Sequence, residues 1–305
     1  MTERKVWGAF LLLALAWGTS FMFIKLAVQT LQPLTLVTLR LLIGWVGLGI
    51  IMRWRGISLP RRRETWGHLA VIGLINVALP FVLITWAESG SQGLDSGVAS
   101  ILNSTVPLFS IVVAGLVLRM ETVSMARVVG LVVGFAGVVL LMSRGATAET
   151  GSVWPSVAVV GAALCYALGT IYARRSLRGL NPITLAAGQL FLADVAVLTL
   201  ALLLEDFSRQ TFTWTTIGSL LWLGLLGSCM AYILYFFVLE EWGATRTTLV
   251  TYLVPVVGVT AGVLLLGERL DWRMVGGGLL ILVGVLIVNG RLRLRRLSRQ
   301  GTMAD

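Results

Sequence analysis

Leu31-Gln32-Pro33-Leu34-Thr35-Leu36 returns about 148 residues later as Leu180-Asn181-Pro182-Ile183-Thr184-Leu185. In both copies the proline opens a long apolar run, the position in a helix where a missing N–H costs least. Each copy is preceded by one apolar stretch, 6–28 or 153–173, and followed by another, 34–54 or 182–204. All four stretches match the roughly 20 residues that a helix needs to cross a bilayer.

Further out, more landmarks repeat in the same order. Trp17-Gly18-Thr19 recurs as Leu168-Gly169-Thr170, and Val106-Pro107 as Val254-Pro255. Glu121 with Gly130 and Gly137 recurs as Glu268 with Gly277 and Gly284. The other apolar stretches are 66–88, 94–118, 126–143, 214–238, 244–266 and 274–290, so ten spans fill nearly the whole chain. The expected architecture is all-α and membrane-integral. Residues 1–145 and 152–290 are its two five-helix repeats around a central cavity, and 291–305 a basic tail.

Composition agrees, because a chain of 305 residues that is 57% hydrophobic and 12% charged has too little polar surface for a water-soluble globule. Its mean hydropathy is +0.90. A membrane β-barrel would alternate apolar and polar residues over about ten positions, and these runs are continuous. The formal charge of +10 does not indicate nucleic acid, since the basic residues sit at the joints between spans, where anionic lipid is the natural partner. Eighteen of the 24 Lys and Arg residues fall in alternate joints beginning with the N-terminus, against four (Arg144, Arg209, Arg269 and Arg273) in the other set. By the positive-inside rule both termini are cytoplasmic, in the cytoplasmic (inner) membrane. Nothing in the sequence sets an oligomeric state.

Five spans per repeat is an odd number, so the second copy enters the membrane from the opposite side. That inverted plan is common among secondary transporters, whose solute site lies near mid-membrane between the repeats. The 34 glycines suit close helix approach, with Gly130-xxx-Gly134 and Gly258-xxx-Gly262 as examples. Interior prolines Pro80, Pro107 and Pro255 mark kinks or hinges. Cys165 and Cys229 lie within apolar spans and form no CxxC pair, which suggests neither disulfide nor metal site. The apolar run after the basic start continues to Phe23, too long for a cleaved leader.

The Trp17-Gly18-Thr19-Ser20 stretch, Pro107, and Glu121 with the glycines of the fifth span resemble the EamA-type branch of the drug/metabolite transporter superfamily. The resemblance covers both halves and implies a ten-helix exporter of small metabolites. Members that export amino acids, including aromatic ones, are the nearest functional match. A nucleotide-sugar, nucleoside or drug transporter of the same fold, or an importer, is the alternative. The resemblance implies no cofactor.

Polar residues inside a membrane are costly and mark a pathway by default. Lys25, Arg40, Glu88 and Asp194 all fall in the outer half. They read as a charged gate, as a coupling group, as the receptor for a zwitterion's charges, or as a static ion-pair network. Asp194 is the carboxyl expected to titrate if protons are exchanged. The expected cavity residues are Asn76, Asn103 and Gln189 with the aromatics Trp17, Trp86, Tyr166, Tyr232 and Tyr252; Asn76 is the preferred binder, because an amide satisfies a charged solute without itself being charged. Trp54, Trp66, Trp154, Trp214 and Trp242 read as interfacial anchors. Glu121 and Glu268 read as helix caps paired locally with Arg119 and Arg269.

Other classes fare poorly. The single histidine, His68, stands at a span edge, and no P-loop or HExxH motif is present, which argues against an ATP-driven pump or intramembrane protease. No loop is long enough to form a channel's filter.

Overall fold

The computed structural model describes residues 3–118, 123–147 and 152–290. Glu121, Arg119 and the basic tail lie outside these residues. All regular structure among them is helical. The spans are α1 (Glu3–Ala27), α2 (Pro33–Trp54), α3 (Arg63–Glu88), α4 (Ser96–Gly115), α5 (Met125–Arg144), α6 (Trp154–Ser176), α7 (Pro182–Leu204) and α8 (Trp214–Gly243), followed by the shorter α9 (Val250–Leu266) and α10 (Trp272–Val288). The last two have 17 residues each. At 1.5 Å per residue that is about 25 Å, close to the hydrocarbon thickness. Helix starts at alternate joints define a basic face, which carries Arg53, Arg55, Arg61, Arg62 and Arg63, and a far face with the α1–α2, α3–α4, α5–α6, α7–α8 and α9–α10 joints.

Local chemistry explains most of the ends. Pro33, Pro155 and Pro182 stand in the first turns of α2, α6 and α7. The Asn181 side chain accepts from Ile183 N at 2.9 Å, and Asp271 accepts from Met274 N at 2.7 Å, so α7 and α10 carry their own caps. Gly267 ends α9 at φ 69°, a left-handed turn that a side chain would strain. The one large boundary difference falls between α8 and α9. There Gly243 at φ 73° breaks the helix, one turn follows, and Thr248-Leu249 interrupt it again, so α9 starts at Val250 and not at residue 244.

Helix neighbours follow a simple rule. α5 packs on α10, α2 on α7 and α4 on α9, while α1 lies against α8 and α9, and α6 against α3 and α4. α3 touches α7 as α8 touches α2. Replacing every helix by the one five places on returns each of these pairs, whereas the further contacts α1–α4 and α4–α10 have no matching partner of like extent in the other half among the described residues. Two helices also share an irregularity. α3 is π-wound over Leu74–Ala78 and α8 over Trp222–Met230, and these stretches begin at the same point of the 148-residue offset.

Glycines make the closest of these contacts possible. A methyl group on Gly284 of α10 would stand 2.6 Å from Gly134 Cα of α5, and one on Gly137 would stand 2.6 Å from the Gly277 carbonyl oxygen. The repeated glycines are therefore where the two backbones touch. Gly49 on α2 has nothing within 4 Å of the same position. We expect Gly284→Ala to lower stability by about 1–3 kcal/mol through overpacking. Gly49→Ala should leave it unchanged or raise it by up to about 1 kcal/mol. Thermal unfolding of the two purified variants in detergent checks both.

Candidate functional site

Two helices that start at the far face are preceded by residues whose side chains do not bond the helix's own free N–H groups. Neither Gln32 ahead of α2 nor Asp95 ahead of α4 accepts a side-chain hydrogen bond there. The free N–H groups are met from across the bundle instead. Glu205, just past α7, accepts from Leu34 N at 2.6 Å and from Thr35 N at 2.7 Å. Glu268, just past α9, accepts from Ser96 N at 2.6 Å and Gly97 N at 3.0 Å. Each carboxylate faces the positive end of a helix dipole, so the contact is charge-assisted. Glu268 is thus a cap, as the sequence suggested, but of α4 and not of its own neighbourhood.

More ties close the same face. Arg144 reaches Asp95 at 2.8 Å and Asp271 at 2.7 Å, joining the α3–α4 and α9–α10 joints. Thr30 and Thr216 share a hydroxyl hydrogen bond of 2.6 Å, and Gln210 donates to Thr35 Oγ1 at 2.8 Å. The Lys25 ammonium donates to the carbonyls of Glu88, Gly93 and Leu94 at 2.8–3.2 Å. A recess of about 440 Å³ opens on this face between Lys25, Gln29, Asp95, Arg144, Glu268 and Arg269. Of the expected gate and cavity residues only Lys25 lines it. On the basic face, His68 Nδ1 lies 2.7 Å from the Tyr172 hydroxyl and Thr184 donates to Ser58 O at 3.4 Å.

Beneath the sealed face, α1, α2, α3 and α8 meet around Arg40, which is 5% exposed. Its Nε donates to Ser228 Oγ at 3.1 Å, and its guanidinium lies 4.0 Å from the Phe81 ring centroid. The π-wound part of α8 supplies both Ser228 and the space. A methyl on Gly227 would come within 2.9 Å of Ser20 Oγ and 3.6 Å of Arg40 Nη2. Tyr166 of α6, Tyr232 of α8 and Glu88 of α3 lie within electrostatic reach of the guanidinium. Glu88 is 1% exposed, and neither carboxylate oxygen has a hydrogen-bond partner among the described residues. Phe81, Thr85 and Glu88 fall at helical spacing on one stripe of α3.

The expected residues divide accordingly. Lys25, Arg40 and Glu88 share one electrostatic neighbourhood. Asp194 does not join them: its Oδ2 accepts from Trp45 Nε1 at 2.8 Å, while its Oδ1 has no partner. Asn76 rests against Gly169 of α6, and the side-chain oxygens of Gln189 and Asn103 are buried without partners. Trp17 packs on Tyr235 with ring centroids 5.7 Å apart. Two of the aromatics stand elsewhere. Trp86 is 47% exposed, about 140° around α3 from Phe81 at 100° per residue, and so faces outward. Tyr252 stands in the first turn of α9, where its hydroxyl accepts from Asn289 Nδ2 at 2.6 Å and ties α9 to α10. Pro80 follows the π-wound part of α3 and Pro107 follows a break at Ser104-Thr105, whereas Pro255 sits inside a continuous α9. Sequence reasoning missed Glu205, Trp45, Phe81 and Ser228. Only Glu205, an acidic residue at a helix joint, carried a readable signal.

These features define a multi-pass membrane protein, sealed on one face, with a buried polar and aromatic group below the seal. The pattern of the EamA-like transporter family matches residues 6–143 and again residues 153–290. The chain belongs to that family and is a membrane transporter. It is 28% identical to an uncharacterized transporter of Archaeoglobus fulgidus over 93% of this chain and 98% of that one. It is equally 28% identical to the uncharacterized inner membrane transporter YedA of Escherichia coli strain K12, over 94% of this chain and 91% of YedA. A solved crystal structure, 18% identical, superposes with a TM-score of 0.66 over 96% of this chain and all of its own length, which supports the fold.

Glu205→Ala and Glu268→Ala should each lower stability by about 1–2 kcal/mol through loss of a cap. The Gln variants should retain part of it, as an uncharged acceptor does. Melting temperatures in detergent measure the series.

Proposed function

We propose that the chain exports amino acids or similar small metabolites across the cytoplasmic membrane by alternating access. Residues 1–145 and 152–290 act as two oppositely inserted repeats, with both termini and the 291–305 tail in the cytoplasm. The observation that carries the reading is the set of main helix pairs, α5–α10, α2–α7, α4–α9, α1–α8 with α3–α6, α1–α9 with α4–α6 and α3–α7 with α2–α8, each of which is returned when every helix is exchanged for the one five places on. A pseudo-twofold arrangement of this kind lets one solute site face either side as the halves rock. The far face is then the outer gate, held shut by Glu205, Glu268 and Arg144, and the solute enters from the basic face. Pro80 and Pro107 are the hinges best placed to let helices bend.

The site is the group around Arg40, Tyr166, Tyr232, Asn76, Gln189 and Trp17. Asp194, with one oxygen spent on Trp45 and the other free, is the carboxyl that would exchange a proton. Nucleoside, nucleotide-sugar or drug transport, and import, are the other outcomes of the same assay.

Counterflow of amino acids, nucleosides and cationic drugs with purified protein in liposomes tests the substrate, and exchange of at least one amino acid is expected. Asp194→Asn should exchange solute while losing its response to a pH gradient; an unchanged response removes the proton role. A tag placed in the joint between residues 145 and 152 should be labelled from the side opposite to a tag after residue 305. Labelling from the same side breaks the inverted arrangement.

A further inference from the structure

We propose that Arg40 is the anchor for a carboxylate group of the transported solute, an assignment that rests on the carrier reading above and narrows it to a substrate class.

Two cations lie near the far face, Lys25 half-buried and Arg40 buried. Lys25 is satisfied: its ammonium donates to three backbone carbonyls at 2.8–3.2 Å. Arg40 is more deeply placed and is not. Its Nε bonds Ser228, but both terminal nitrogens lack an acceptor among the described residues, and no carboxylate lies within ion-pair distance. A guanidinium has five N–H donors and cannot shed its charge, so at 5% exposure a terminal edge with no protein acceptor is costly unless water or a ligand completes it.

The surroundings orient that unused edge. Phe81 covers one face of the guanidinium at 4.0 Å, and Ser228 fixes the Nε side, so the planar fork is held before any ligand arrives. Tyr166 and Tyr232 stand in the field of the same group, on α6 and α8. Thr85, one turn after Phe81 on the same stripe of α3, has a buried hydroxyl with no partner. The ligand chemistry follows. A carboxylate matches the guanidinium fork in two parallel hydrogen bonds. A phosphate dianion would call for a second free cation, and Lys25 is already engaged by carbonyls. Arg40 also lies where both halves contribute, with α1, α2 and α3 on one side and α6 and α8 on the other, which is where a solute must sit to be seen by both.

The test uses the full-length protein in detergent, with thermal unfolding as the readout. Amino acids are compared with their carboxamides, benzoate with benzamide, and inorganic phosphate is added alone. At least one carboxylate should raise the melting temperature while its amide does not. Arg40→Gln should abolish the rise, and Arg40→Lys should weaken apparent affinity on the order of tenfold, since an ammonium cannot present a planar fork. Equal responses to acids and amides, a response to phosphate but to no carboxylate, no response to any acid, or an acid response that survives Arg40→Gln each overturn the proposal. If Arg40→Gln is not recovered folded, Ser228→Ala decides. That change loosens only the Nε contact, so a weaker carboxylate response supports the assignment and an unchanged one overturns it. Liposome counterflow separates the two levels. Exchange of a neutral or cationic solute that is indifferent to Arg40→Gln removes the carboxylate anchor and leaves alternating access standing. Failure of every solute to exchange through wild-type protein removes the carrier reading, and the anchor with it.

Discussion

A helix that begins at a membrane surface leaves its first N–H groups without partners, and α2 and α4 begin with residues that do not supply any. The carboxylates that satisfy them come from the ends of α7 and α9, five places on in each case. Local secondary structure and the closure of the whole bundle are therefore one interaction. To open this face the protein must uncap two helices, and Arg144 with its two aspartates must let go at the same time. The cost of opening is concentrated in a few charge-assisted bonds, which suits a barrier that a bound solute could help to cross.

Below the seal the chemistry is sparse and specific. Arg40 is gripped by one serine and one phenylalanine, Glu88 by nothing among the described residues, and Asp194 by one tryptophan. Buried polar groups are normally satisfied. Arg40 and Glu88 leave such a gap side by side, and Asp194 stands apart with a free oxygen of its own. The tight glycine contact between α5 and α10 shows the contrary regime, where backbone meets backbone with no polar group left over.

The number, order and approximate ends of the spans were legible because crossing a bilayer demands long apolar runs, and joints collect the charge. Pro33 and Pro182 open α2 and α7, and the glycines of α5 and α10 meet each other, which is the shared backbone work that an offset comparison of the sequence picks up. What each side chain faces was much harder to read. In water a helix is apolar on its buried side only, whereas here both lipid and interior are apolar and the periodic signal is lost. That is why Trp86 was expected in the cavity and faces outward, and why Tyr252 was expected in the cavity and stands in the first turn of α9, tied to Asn289. Phe81 and Trp45 were hidden for the same reason: one more aromatic in an apolar run says nothing about the charge it will hold.

The π-wound stretch of α8 has one more consequence. A π turn accommodates an extra residue, so the helix beyond Trp222–Met230 is rotated relative to a regular α-helix of the same sequence, by about 100° for each residue so accommodated. Ser228 meets Arg40 inside that widened turn, which makes the meeting a matter of counting as much as of composition. Removing Leu225 or Leu226 from the stretch would leave the Ser228 hydroxyl in the chain and yet swing one end of the helix away from its neighbours. The spacing of residues along α8 holds Arg40 in place as much as the Ser228 hydroxyl itself does.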